Sequence, residues 1–65
     1  MKICWKKPQP LIILKDQKML RYESRAKGDI DDIKRISFRS SGDWYIQFKD
    51  GTYAHANKES LSVVK

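Results

Sequence analysis

Apolar and polar positions alternate in short runs along this chain, and turn-forming residues separate the runs at close intervals, a pattern that predicts strands. Ile3 to Lys7 reads as a first extended piece, ended by Pro8-Gln9-Pro10 because proline donates no ladder hydrogen bond. Leu11 to Lys15 opens on a continuous apolar run, consistent with a buried strand. Asp16-Gln17-Lys18 turns the chain, Met19 to Arg25 alternates as another strand, and Ala26-Lys27-Gly28-Asp29 forms a loop. The stretch Asp29 to Ile36 departs from the pattern. Its isoleucines recur at every third position, acids come before bases, and Asp29 stands where a cap would, so at most one short helical turn is predicted there.

The C-terminal half alternates most clearly. Ile36 and Phe38, then Trp44, Ile46 and Phe48, then Thr52 to Ala56, and finally Leu61 to Val64 are bounded by Ser40-Ser41-Gly42-Asp43, Lys49-Asp50-Gly51 and Asn57-Lys58-Glu59-Ser60. Asp50-Gly51 suits either a two-residue turn or a three-residue loop with a left-handed glycine. The two-residue version puts Tyr53 and His55 on the face of Ile46 and Phe48. The three-residue version pairs Phe48 with Thr52 and Ile46 with Ala54, and leaves Tyr45, Gln47, Tyr53 and His55 together outside. The second is preferred, because small Ala54 and Ala56 complement large Trp44 and Ile46.

About five strands in so short a chain must curl to cover their own core. The expected fold is therefore all-β: a small, roughly five-stranded antiparallel barrel, one domain spanning residues 1–65 or part of a larger protein. Its expected core is Ile36, Phe38, Trp44, Ile46, Phe48, Leu61 and Val63.

The segment Trp44-Tyr45-Ile46-Gln47-Phe48-Lys49-Asp50-Gly51, followed by a return strand, a short turn and Leu61-Ser62-Val63-Val64, resembles the closing hairpin of Tudor and SH3-like barrels. The resemblance covers residues 36–64 and implies an SH3-like or Tudor-like fold. It is also similar to small accessory barrels of bacterial DNA-processing and helicase-like proteins. A methyl-lysine Tudor domain builds an aromatic cage; here only Tyr45 and Tyr53 are expected to share an outer face.

Charge adds a direction. The formal net charge is +6, and residues 1–28 carry all of it: eight bases stand against two acids there, and six against six in residues 29–65. That asymmetry suggests a basic face aimed at a polyanion, nucleic acid first among them. An acidic protein partner is the alternative. One cysteine and one histidine supply neither a disulfide nor a zinc site, and no cofactor or metal is expected. The lone cysteine and the short apolar run Leu11-Ile12-Ile13-Leu14, too short for a signal peptide or a membrane helix, point to the cytoplasm.

Candidate phosphate contacts are Lys6, Lys7, Lys15, Lys18, Arg21, Arg25 and Lys27; candidate stacking residues are Tyr45 and Tyr53, with Trp5 and Tyr22. Asp29, Asp31 and Asp32 resemble the start of a calcium loop, but the glycine and distal glutamate are missing. Cys4 and His55 lie in no nucleophile signature, and the glycines stand apart rather than forming a phosphate loop. The sequence is therefore read as a non-catalytic binding module, with nucleic acid ahead of an SH3- or Tudor-type protein interaction.

Overall fold

The computed structural model describes residues 1–64. Its strands are β1 (Lys2–Trp5), β2 (Gln9–Lys15), β3 (Lys18–Arg25), β4 (Ile30–Phe38), β5 (Asp43–Phe48), β6 (Tyr53–Asn57) and β7 (Leu61–Val64), with a 3-10 turn at Lys58–Ser60 before β7. The all-β expectation holds. The closed five-stranded barrel does not, because seven antiparallel strands form one open sheet in the order β3-β2-β6-β5-β4-β1-β7.

The reason for the opening lies in β3. Leu11 and Ile13 face the core, and their cross-strand partners are Glu23 and Arg21, so the inward positions of β3 are charged. These side chains cannot fill an apolar interior. Instead Arg25 reaches across to Asp31 of β4, Nε to Oδ2 at 2.7 Å, and an ion pair stands where a further ladder would close the sheet.

Asp29 to Ile36 is extended rather than helical. Ile33 pairs with Phe48 and Arg35 with Gln47, so Lys34 is an extra residue, a β-bulge. The bulge returns Ile36 to the inner face after three positions instead of two. A spacing that imitates a helix is thus a strand with one residue inserted.

The β5–β6 hairpin folds in the three-residue register. Ile46 lies opposite Ala54 and Tyr45 opposite His55, Phe48 N–H donates to the Thr52 carbonyl at 2.8 Å, and Gly51 has φ 90°. Ala54 and Ala56 are buried. The β2–β3 turn is tighter: Lys15 opposes Lys18, and both Asp16 (φ 53°) and Gln17 (φ 66°) are left-handed.

The core is Ile3, Trp5, Leu11, Ile13, Ile33, Ile46, Ala54, Ala56 and Leu61, with Ile36, Trp44 and Phe48 half-buried against it. Two residues expected inside are not. Phe38 ends β4 opposite Trp44; it is 53% exposed and rests edge-on against that ring at 5.1 Å. Val63 lies on β7, a sheet edge, and is 39% exposed. Trp5, expected as a stacking residue, is wholly buried, and its indole N–H donates to Asp31 at 2.6 Å. Among the described residues no helix is long and apolar enough to cross a membrane.

Candidate nucleic-acid interface

Directly opposed residues of antiparallel strands share a face, so the register defines what the outer side of the sheet carries. One row runs Arg35, Gln47, Tyr53, Leu14, Met19 across β4, β5, β6, β2 and β3. A second runs Ser37, Tyr45, His55 across β4, β5 and β6, and beyond it Ile12 opposes Tyr22. The outer face is therefore apolar and aromatic over most of its width.

Tyr45 is its centre. Its ring packs edge-on against Tyr53 at 5.6 Å and tilted against His55 at 5.4 Å. Arg39 completes the group, with Nη1 3.0 Å from His55 Nδ1. Two open depressions flank His55. One, of about 310 Å³, is lined by Ser37, Arg39, Tyr45 and His55; the other, of about 280 Å³, by Pro10, Ile12, Leu14 and His55.

The acid nearest this group is Asp43. The Ser41 hydroxyl hydrogen-bonded to it, aided by the charges of Arg39 and His55, holds its carboxyl below the ordinary range. His55 Nδ1 lies 3.6 Å from Asp43 Oδ2.

The candidate bases fall into three groups. Lys15 and Lys18 flank the β2–β3 turn, and that turn is fixed to the aromatic cluster: Gln17 N–H donates to the Tyr53 hydroxyl at 3.0 Å. Lys6 and Lys7 lie in the β1–β2 connection and Lys27 in the β3–β4 connection, two segments joined by Gly28 N–H donating to the Trp5 carbonyl at 2.7 Å. This is the other end of the seven-residue strand β2, about 20 Å from the Lys15–Lys18 turn at 3.3 Å per residue.

Arg21 and Arg25 form the third group, on the inner face, and both pair with Glu23. Hydrogen bonds from Arg21 and Arg25 keep the Glu23 carboxyl below its usual value. For Asp31, burial opposes ionisation and is the largest influence, yet the bonds from Arg25 and Trp5 together outweigh it, and its pKa is also lowered. These side chains hold the open side of the sheet together, in a charged cleft of about 290 Å³ that also takes in Asp32, Lys49 and Asp50.

Tyr22, at 70% exposure, stands on the outer face as a stacking residue would need. The acids weighed as a calcium loop are engaged separately. Asp29 accepts the Ala26 N–H at 2.7 Å, Asp31 serves Trp5 and Arg25, and Asp32 pairs with Lys49 at 2.7 Å.

Sequence reasoning missed Arg35 and Arg39, which border the tyrosines from the side of β4. It also missed the aliphatic part of the outer face, Ile12 and Met19. Pairing Ile36 with Ile46 would have revealed the arginines, because it sets Ser37 beside Tyr45. The expected helical turn hid that register. No family model, curated protein or solved structure matches this chain.

Proposed function

We propose that this domain is a non-catalytic module that binds single-stranded nucleic acid on the outer face of its sheet. The observation that carries the reading is the Tyr45–Tyr53–His55 cluster, bordered on the β4 side by Arg35 and Arg39, with the β2–β3 turn that carries Lys15 and Lys18 tied to Tyr53 at the other margin. Bases stack on such rings without regard to sequence, while flanking cations neutralise phosphates. An aromatic face suits unpaired bases, which can splay onto it, better than a duplex, whose bases are already stacked.

The SH3-like reading is supported by connectivity: β4, β5 and β6 form a meander, a 3-10 turn follows, and β7 returns beside β1. A place as an accessory domain of a DNA- or RNA-processing enzyme, in the cytoplasm, accords with this reading. The exposed aliphatic residues Ile12, Met19 and Leu20 favour a second one, a protein-interaction surface.

Titration of labelled single- and double-stranded oligonucleotides at two salt concentrations tests the proposal. With about four phosphates neutralised at roughly 0.7 per contact, log affinity should fall against log salt with a slope near −3. Absence of binding to either at ~50 mM salt, where phosphate contacts are strongest, refutes it and promotes the protein-interaction surface.

A further inference from the structure

We propose that β3 is an assembly edge, through which two copies of this chain pair antiparallel about a two-fold axis at Tyr22. This rests on the edge alone and is independent of nucleic-acid binding. β3 is the end strand of the sheet, eight residues long and free of proline, and among the described residues it pairs only with β2. Its other row of backbone N–H and C=O groups is therefore open to another strand, and the bulge that interrupts this edge, at Leu20, lies before the Arg21–Arg25 stretch.

The side chains select what can add there. The inward positions read Arg21, Glu23, Arg25. In an antiparallel pair centred on Tyr22, Arg21 of each copy stands opposite Glu23 of the other, so both charges are matched twice. Moving the centre one residue either way sets Arg21 against Arg21 or Glu23 against Glu23, and like charges directly opposed are unfavourable. Centring on Ser24 also matches Glu23 with Arg25 but sets Arg21 against Lys27, so the charge pattern that rejects a generic strand is complementary to itself without a like-charge pair about Tyr22.

The outer side agrees with this register. Tyr22 meets Tyr22, and Leu20 of each copy stands opposite Ser24 of the other, so an exposed ring is covered and no like charges are opposed. A two-fold contact uses the same patch on both copies and closes without propagating.

Sedimentation velocity of the whole chain, from micromolar to submillimolar concentration, should show the mass rising from monomer to dimer. R21E and E23R, each alone, oppose like charges and should stay monomeric. Mixed in equal amounts they should form a dimer, since the acidic positions 21 and 23 of one copy then face the basic positions of the other. Y22K, at an exposed site that leaves the fold intact, should also be monomeric. A wild-type chain that remains monomeric throughout overturns the proposal and leaves the edge to an extended segment of a different protein. A dimer unaffected by R21E, E23R and Y22K overturns it by placing the contact elsewhere.

Discussion

The indole N–H of Trp5 and the guanidinium Nε of Arg25 both donate to the same oxygen of Asp31, at 2.6 Å and 2.7 Å. One carboxylate thereby joins β1, β3 and β4 at the side where the sheet is open. Removing it orphans a buried indole donor and leaves a partly buried cation with Glu23 and the Ser24 carbonyl. Asp31→Ala should therefore destabilise the domain by about 2–3 kcal/mol, and Asp31→Asn, which keeps one acceptor, by about 1–2 kcal/mol. Urea unfolding followed by tryptophan fluorescence measures both.

Acid should weaken the fold through the same carboxylates. Glu23, Asp31, Asp32, Asp43 and Asp50 all have lowered pKa values, with hydrogen bonds from arginine, lysine, serine or threonine as the favourable cause in each. A carboxylate whose folded pKa lies below its unfolded value stabilises fully above the unfolded value, about 4, and loses that contribution as pH falls through the folded one. The urea midpoint should be flat from neutrality to about pH 5 and fall steadily below pH 4. In Asp31→Ala the fall should be shallower.

Gln17 occupies a left-handed conformation that costs a side-chain-bearing residue about 1 kcal/mol. Its backbone N–H, not its side chain, holds the Tyr53 hydroxyl. Gln17→Gly should keep that bond and convert the turn to Asp-Gly, a sequence that type I′ hairpins favour. A gain of about 0.5–1 kcal/mol is expected, read as a higher urea midpoint with the same slope.

The hairpin from Asp43 to Asn57 was legible because its local signals agree. Gly51 permits the left-handed loop position, and small Ala54 faces large Ile46 across the ladder. The outer grouping of Tyr45, Tyr53 and His55 follows from that register alone. β4 was not legible, because one inserted residue, Lys34, turns a period of two into the three-residue interval between Ile33 and Ile36. Trp5 was misread because Lys6 and Lys7 follow it, although the acid that satisfies its indole lies 26 residues away. Net charge misled in a related way. The second half sums to zero, yet Asp31 and Asp32 are committed to Arg25 and Lys49, and Arg35 borders the tyrosines together with Arg39, which pairs with Asp43 at 3.9 Å.

The outer face separates stacking from phosphate contact, so the two should respond to different substitutions. Tyr45→Ala and Tyr53→Ala each remove one ring of a touching pair and should weaken single-strand affinity by about 1–3 kcal/mol, with the salt slope unchanged. Tyr53→Phe keeps the ring and loses only the hydroxyl that receives Gln17 N–H, so binding should persist while the β2–β3 turn loosens. Lys15→Glu with Lys18→Glu should flatten the slope by roughly 1.4, two contacts at about 0.7 each. Lys6→Glu with Lys7→Glu acts at the far end of β2, away from the rings, and should change the slope much less. Oligonucleotide titrations of these variants at two salt concentrations read all four outcomes. Equal losses from the Lys6/Lys7 and Lys15/Lys18 pairs, with no effect of either tyrosine, would move the interface off the outer face.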